Sequence, residues 1–105
     1  MSAIDFLKKL PAAFDASAAA GTDAVVQFAI STPAHLVIKG GACEVVEGSA
    51  GNADVTLTMD DDDLVSLLKG DLNGMTAFMT GKLQLDGDMM LAQRMTSFFD
   101  AAKLA

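Results

Sequence analysis

Residues 53–99 read ADVTLTMDDDDLVSLLKGDLNGMTAFMTGKLQLDGDMMLAQRMTSFF, and the spacing of their hydrophobic residues changes period three times. Val55, Leu57 and Met59 alternate with threonines, which predicts a strand with one buried face. Four aspartates then begin a helix, and a Lys-Gly pair ends it, as the helix dipole and a left-handed C-cap favour. The segment predicts a strand at 55–59, a helix at 60–70, a short helix at 73–81, a strand at 82–86 and a helix from 89 to about 103.

The first part of the chain predicts helical structure at the N-terminus. Ile4, Leu7, Leu10 and Phe14 recur at helical spacing. Pro11 falls inside this pattern, so it either kinks one helix or begins a second short one. The Ala-rich stretch at 16–21 ends at a glycine and is interpreted as a frayed helix end before a loop.

Four strands follow in the interpretation of residues 24–59: one at 24–31, the two strands of a β-hairpin and the strand at 55–59. The run AVVQFAIS at 24–31 alternates in hydrophobicity and predicts the first strand. Gly40-Gly41 separates two β-rich runs, which indicates a two-residue hairpin loop. Such a loop pairs Lys39 with Ala42 and Ile38 with Cys43. It also puts Leu36 opposite Val45, on one apolar face with Ile38 and Cys43.

These elements predict an α+β fold, with one five-stranded mixed β-sheet covered on one face by helices. The connection between the strands at 55–59 and 82–86 contains two helices. It is long enough for a crossover that returns a strand parallel to one already in the sheet. The whole chain, 1–105, is expected to form a single domain, because 105 residues is an ordinary size for one.

Composition and charge exclude several classes of function. The net charge of −7 disfavours nucleic acid and electrostatic docking on anionic lipid. Cys43 is the single cysteine, so no intrachain disulfide is expected. No signal peptide is apparent, and no apolar run approaches the roughly 18 residues of a membrane span. The sequence therefore predicts a soluble cytoplasmic protein without stable membrane insertion.

Two candidate chemical motifs fail on spacing. The predicted hairpin puts His35 and Cys43 on opposite faces and about 10 Å apart, which disfavours a Cys–His dyad. The acidic run from Asp60 would need Gly and Glu at the sixth and twelfth positions of an EF-hand loop, where this chain has Val65 and Asp71. No phosphate-binding glycine motif or serine nucleophile elbow occurs. We therefore expect no catalytic residues, no cofactor and no metal.

Methionines concentrate in the last third of the chain, beside three phenylalanines. Methionine is flexible and polarizable, so it fills irregular cores and also suits binding surfaces of variable shape. Composition alone leaves two interpretations open, a methionine-rich core and the wall of an apolar pocket. The residues concerned are Met75, Phe78, Met79, Met89, Met90, Met95, Phe98 and Phe99.

The second half of the chain resembles the sterol carrier protein type 2 family of small lipid-carrier domains. The similarity lies in an A-D-x-T strand, an acid-started helix ending in glycine, an A-F-x-x-G-K-L strand start and a G-[DN]-M-x-L-A helix start. In this sequence these motifs are Ala53, Asp54 and Thr56; Asp60 to Gly70; Ala77, Phe78, Gly81, Lys82 and Leu83; and Gly87, Asp88, Met89, Leu91 and Ala92. The match covers about 45 residues closely, and the first half agrees in element order.

The resemblance implies an apolar tunnel between the sheet and the helices. It also implies non-enzymatic binding of a fatty acid, fatty acyl-CoA, sterol, phospholipid or isoprenoid lipid. Peroxisomal members end in a small-Lys-Leu signal, whereas Ala105 follows Ala102-Lys103-Leu104 here, so we do not predict peroxisomal import. A methionine-rich wall tolerates flat and flexible ligands, and acyl chains are slightly favoured.

We predict that ligand-binding residues lie on the last two helices. They are Met75, Phe78, Met79, Leu91, Met95, Phe98 and Phe99. The last three are also candidates for a movable lid, and Phe98→Asp is expected to abolish binding while leaving the fold largely intact. Arg94 or Lys82 is a candidate for contact with an anionic headgroup, the alternative being that both are solvated.

A second hypothesis assigns the same apolar surface to a partner protein, as in an accessory subunit of lipid or quinone metabolism. Exposed apolar patches commonly mark such interfaces. A monomer filled with ligand favours the carrier hypothesis. A dimer or heteromer formed through the last helix favours the interaction module, and the sequence alone predicts a monomer or a weak dimer.

Overall fold

The computed structural model describes residues 3–99, which form five strands, five α-helices and one 3-10 turn. The N-terminal elements are α1 (Ala3–Leu7), α2 (Leu10–Ala13), β1 (Ala24–Ala29), β2 (Ala34–Lys39) and β3 (Ala42–Glu47). The remaining elements are β4 (Val55–Thr58), α3 (Asp61–Lys69), α4 (Gly74–Met79), β5 (Gln84–Gly87), α5 (Met89–Met95) and the 3-10 turn (Thr96–Phe98).

The five strands form one mixed sheet in the order β3-β2-β1-β4-β5. The parallel pair is β1 with β4, and the other neighbouring strands are antiparallel. The α+β class and the mixed five-stranded sheet are therefore confirmed. The two-helix connection does not create the parallel pairing, because β5 lies antiparallel beside β4. The parallel pairing arises when the chain leaves the β2–β3 hairpin and returns to the free edge of β1.

The β2–β3 hairpin has the register that its Gly40-Gly41 loop predicts. Lys39 pairs with Ala42, and Ile38 pairs with Cys43. Both glycines adopt positive φ angles, of 61° and 78°, which a two-residue hairpin loop requires. Leu36 and Ile38 are buried, and Cys43 packs against the same core from the neighbouring strand. The predicted apolar face is confirmed.

The core lies between one face of the sheet and the helices. Directly paired residues such as Val26, Leu36 and Val55 share this face and are fully buried. On the other face Gln27 is also buried, because the loop after β3 covers it. The Gln27 amide nitrogen donates to the carbonyl oxygen of Ala34 at 3.1 Å, and its Oε1 accepts from the Ala50 amide at 2.6 Å.

Two interpretations of the N-terminal region are decided by the structure. Pro11 is the second residue of α2, so it begins a second short helix rather than kinking one. Residues 16–21 form turns rather than a helix end. Asp15 Oδ1 accepts from the amides of Ser17 and Ala18, and the Ala19 amide makes a helical bond to the Asp15 carbonyl oxygen. The next bonds, from the amides of Ala20 and Thr22, are the tighter bonds of a turn, to the carbonyl oxygens three residues earlier.

The last helix is shorter than predicted. α5 ends at Met95, and Phe99 is extended and forms an antiparallel bridge with Phe14. The Asp15 amide donates to the carbonyl oxygen of Phe98 at 2.6 Å, and the Phe14 and Phe99 rings stand 5.8 Å apart. This tertiary contact competes with continuation of the helix. The predicted extension to about residue 103 lies outside the described residues beyond 99.

Two strand boundaries also differ by two residues. β1 ends at Ala29 instead of residue 31, where Ser31 leaves the sheet to bind Asp61 at the start of α3. β5 covers 84–87 instead of 82–86. Gly87 is the last residue of β5 because it pairs with Val55, which brings the start of α5 against β4.

Asp54 joins the starts of β1, β4 and α5. Its Oδ2 accepts from the Val25 amide at 2.7 Å, and its own amide donates to the Val25 carbonyl oxygen at 2.8 Å. Its carbonyl oxygen accepts from the Asp88 amide at 2.9 Å. Asp88 in turn caps α5, since its Oδ1 accepts from the Leu91 amide. The two acidic motif residues therefore position the last helix on the sheet.

Candidate functional site

A cavity of about 440 Å³ lies between β4, β5 and the three helices α3, α4 and α5. Its volume falls in the range of small-molecule sites, roughly 300–1,000 Å³. The residues that line it come from the sheet, from the two helices of the connection and from the first turns of α5. They are Leu57, Leu67, Leu68, Gly70, Leu72, Asn73, Gly74, Met75, Phe78, Leu83, Leu85, Met89, Ala92 and Gln93.

The cavity has a buried leucine floor and an exposed mouth. Leu57, Leu67, Leu68 and Leu83 are all nearly inaccessible to solvent. The mouth is formed by three side chains that are 56% (Met75), 41% (Phe78) and 45% (Met89) exposed. The cavity therefore reaches the surface beside α4 and the start of α5. The enclosed tunnel implied by the family resemblance stays a prediction.

The helix that carries two of the mouth residues is held by a side-chain cap. Asn73 Oδ1 accepts from the amides of Met75 and Thr76, at 2.9 and 3.2 Å. α4 has only six residues, which is too short to be stable on its own. The N-cap predicted at Asn73 is confirmed, and it places Met75 and Phe78 one helical turn apart on the cavity side.

Among the described residues that line the cavity, none has an ionisable side chain. The polar side chains are those of Asn73 and Gln93. The cavity therefore suits an uncharged apolar group, because a buried charge would have no partner there. A charged headgroup would lie outside the lining.

The two candidate headgroup cations lie away from this lining. The Arg94 Nη2 donates to Thr22 Oγ1 at 2.9 Å, and its guanidinium stands over the Phe98 ring at 5.6 Å. Lys82 borders a second, polar hollow with Asp60 and Asp63. Neither residue lines the leucine-floored cavity.

The structure brings together two of the seven predicted ligand-binding residues at the cavity, Met75 and Phe78. Met79 lies on the same helix and is largely exposed outside the lining. The other four, Leu91, Met95, Phe98 and Phe99, are buried in the core and do not border the cavity. Their part in ligand binding stays a prediction. Phe98→Asp would bury a carboxylate in the core, so this variant tests the fold rather than the ligand.

No pattern in the sequence distinguishes the leucines of the cavity floor. A leucine in a core and one in a cavity wall have the same periodicity, so no pattern separates them. One signal was available: helices at 61–69 and 74–79 are joined by only four residues, which include Gly70. The cavity lies beside this turn: Gly70, Leu72 and Asn73 line it together with Leu57 of β4 and Leu85 of the edge strand β5.

His35 and Cys43, the two residues considered for a catalytic dyad, have different surroundings. His35 Nδ1 lies 3.0 Å from the carbonyl oxygen of Gly48. Burial raises the pKa of the Cys43 thiol to about 11. In residues 3–99 no group of three or more His, Cys, Asp or Glu side chains is placed to hold a metal ion. Within the same range, no helix has the length and apolar character needed to cross a membrane.

The geometry is that of a small-molecule binding domain of the α+β class, with an apolar cavity between a mixed sheet and helices. The chain belongs to the SCP-2 sterol transfer family, whose model matches residues 5–100. This is a family of lipid-binding and lipid-transfer domains.

Known proteins similar to the chain include a curated relative and solved structures. Bovine sterol carrier protein 2 is 43% identical over 58 residues, which is 55% of this chain and 11% of that protein. The chain thus spans about a tenth of this relative. The apo structure of sterol carrier protein 2 from Yarrowia lipolytica has a TM-score of 0.68 at 25% identity, covering 94% of this chain and 88% of that one. The UbiJ-SCP2 ubiquinone synthesis protein has a TM-score of 0.67 at 24% identity, covering 96% and 84%.

Proposed function

We propose that this domain binds the hydrocarbon chain of a single-chain acyl lipid, such as a fatty acid or its thioester, and carries it without catalysing a reaction. The observation that carries the proposal is the cavity: a leucine floor, a flexible apolar mouth and no ionisable side chain among its described lining residues. Membership of a lipid-transfer family supports the same class of ligand.

Binding energy in such a cavity comes from removing methylene groups from water. Each buried methylene contributes about 0.8 kcal/mol before the costs of immobilising the ligand. Affinity should therefore rise with chain length until the cavity is full and then level off. A flexible chain also suits this cavity better than a rigid ring system, because methionines at the mouth adapt their rotamers to the ligand.

The lining also predicts which part of the ligand contributes least to affinity, namely the charged headgroup. Because no residue that the structure places in the lining has an ionisable side chain, a carboxylate or phosphate would stay in water outside the mouth. A fatty acid and its methyl ester should then bind within a few-fold of each other. A large preference for the acid would place a cationic side chain in the site, and the proposed pose would be wrong.

A cavity-filling variant tests the proposal directly. Ala92 lines the cavity, and Ala92→Phe would occupy part of it. Met90 lies on the same helix outside the lining and is 69% exposed, so Met90→Phe is the matched control. We expect the first variant to weaken fatty-acid binding at least tenfold and the second to leave it unchanged.

The measurement combines titration with a fluorescent fatty acid and native mass spectrometry of the lipid-loaded protein. Circular dichroism establishes that both variants are folded. If Ala92→Phe disturbs the fold, Leu85→Trp fills the cavity from the sheet side instead. Equal affinity in a folded cavity-filled variant and in the control would contradict the proposal.

An interaction module is the second candidate function, and the exposed apolar surface favours it. Five exposed large apolar side chains lie on α4 and α5: Met75, Phe78, Met79, Met89 and Met90. Surfaces of this kind commonly form interfaces. If a partner or second copy covers them, Met79→Gln/Met90→Gln should abolish association while Ala92→Phe leaves it intact. Light scattering during size exclusion separates a monomer from a dimer.

For the compartment, we propose the cytoplasm. Cys43, the single cysteine of the sequence, is a free thiol, which is the usual state of cysteines in a reducing compartment. Fractionation of the native host cell tests this, and recovery in an organelle would contradict it.

A further inference from the structure

The six methionines in residues 3–99 fall into two exposure classes. Met59 and Met95 are 7% and 0% exposed. Met75, Met79, Met89 and Met90 are exposed, with 77% for Met79 as the largest value. A thioether is oxidised by peroxides in proportion to its accessibility, so the second class is open to this chemistry and the first is protected.

The four exposed methionines form two pairs, one at the cavity mouth and one outside the cavity. Met75 and Met89 line the cavity mouth, whereas Met79 and Met90 lie on the same two helices outside the lining. Each helix therefore presents one methionine to the cavity and one beside it. This arrangement separates the effect of oxidation at the mouth from that of oxidation elsewhere on the same surface.

We propose that Met75 and Met89 form a redox-sensitive modification site, at which sulfoxidation by a hydroperoxide weakens lipid binding. This inference rests on the proposed function. The O–O bond of the hydroperoxide breaks, and one oxygen forms a bond to the methionine sulfur. The sulfur is oxidised by two electrons, and the hydroperoxide is reduced to water or, for an organic hydroperoxide, to the alcohol. No further reactant is required.

The effect on binding follows from the polarity of the product. A sulfoxide oxygen accepts hydrogen bonds strongly, and at the mouth it takes them from water. An acyl chain that enters the cavity must pass over Met75 and Met89 and would displace that water. Because the methylene groups of an acyl chain have no donor to replace these hydrogen bonds, an oxidised mouth weakens binding of the chain.

Bound lipid should also protect the same two residues. A chain in the cavity covers the sulfur atoms of Met75 and Met89, and it leaves Met79 and Met90 exposed. Peroxide treatment of the lipid-loaded protein is therefore expected to oxidise the first pair more slowly than in the free protein and the second pair at an unchanged rate. Peptide mass spectrometry measures all four rates in one sample.

The test compares three proteins: wild type, Met75→Leu/Met89→Leu and Met79→Leu/Met90→Leu. Binding of a stearic acid labelled with nitrobenzoxadiazole is measured before hydrogen peroxide treatment and again after the peroxide is removed. Each protein serves as its own reference. We expect affinity to fall about tenfold, or about 1.4 kcal/mol, in wild type and in the Met79/Met90 variant, and to stay constant in the Met75/Met89 variant. Treatment with methionine sulfoxide reductases A and B should restore binding.

The possible outcomes distinguish a failure of the proposed lipid binding from a failure of the proposed redox site. If untreated wild type does not bind the probe, the proposed function fails and this inference fails with it. If untreated protein binds and the Met75/Met89 variant loses affinity as much as wild type, only the redox site is overturned. Unchanged binding by protein that carries oxygen on both residues overturns it as well, and so does a failure of peroxide to modify them. Oxidation of Met59 or Met95 would show that the loss comes from unfolding.

Discussion

Gly87 lies against Asp54 so closely that a β-carbon built on it would stand 2.4 Å from the Asp54 carbonyl oxygen. The same carbonyl accepts the Asp88 amide, so it is held in place by the start of α5. Gly87 also has a φ of 112°, which side-chain-bearing residues rarely adopt. Two separate constraints, steric and conformational, therefore require glycine at this position.

Gly87→Ala should lower the free energy of unfolding by about 3 kcal/mol or more, since it combines backbone strain with a clash that only backbone movement relieves. Gly21→Ala is the matched control. Its φ of 76° is also positive, but a β-carbon there meets nothing within 4 Å, so about 1 kcal/mol is expected. Urea denaturation measures both, and equal losses would show that the contact with Asp54 costs nothing.

Asn73→Ala should destabilise the protein by about 1 kcal/mol, because two amides of α4 lose their acceptor. Lipid affinity should fall in the same variant, since α4 carries Met75 and Phe78. Asn73→Ser retains an acceptor for the cap and should preserve both properties. Thermal melting and fatty-acid titration test the pair, and a stability loss without an affinity loss would mean that α4 does not shape the mouth.

Acid stability should depend on Asp61. Its Oδ2 accepts from the Ser31 hydroxyl and its Oδ1 from the Ser31 amide at 2.9 Å, and these bonds hold the pKa of the carboxyl below its ordinary value of 3.8. The unfolded chain therefore binds the proton first as pH falls. Stability from this contact is complete above the ordinary pKa and is lost as the pH falls through the lowered one.

Asp61→Asn should accordingly make the free energy of unfolding less sensitive to acid below about pH 5. Asp62→Asn is the control, because it removes a carboxylate from the same helical turn and leaves the Ser31 contact in place. Denaturation series at several pH values measure the slopes. A wild-type slope that Asp61→Asn does not reduce would contradict the assignment.

Cys43 should react slowly with alkylating agents. Burial raises the pKa of its thiol to about 11, so at pH 8 the thiolate fraction is roughly a hundredfold below that of an unburied cysteine. Alkylation by iodoacetamide should accelerate as pH rises and should reach the ordinary rate when urea unfolds the protein. Equal rates in folded and unfolded protein would show that the thiol is not shielded.

Where a short motif decides the local geometry, the sequence was sufficient to predict the structure. The Gly40-Gly41 loop sets the hairpin register, and Asn73 and Asp88 mark two helix starts. The end of α5 was not predictable in this way, because Phe98 and Phe99 continue its hydrophobic stripe. The contacts of Phe98 with Asp15 and of Phe99 with Phe14, both distant in sequence, compete with the helix there.

The sequence indicated an apolar pocket beside the methionines, but it did not indicate which leucines line that pocket. The methionines at the mouth are conspicuous because they are flexible apolar residues concentrated in the last third of the chain. Leu57 and Leu85 are not conspicuous, because their packing depends on how β4 and β5 meet α3 and α4. The sequence also did not predict that β4 pairs in parallel with β1. No local signal indicates which edge of the sheet a strand will join after a long connection.

That parallel pairing also determines an order of assembly. β1, β2 and β3 are joined by short connections and can pair early, whereas Val26 meets Val55 only after a long loop has closed. All the described residues that line the cavity lie at or beyond Leu57. During refolding, the β-sheet signal of the hairpin should therefore appear before the protein can bind a fatty acid. Fatty-acid binding should develop with the slowest kinetic phase.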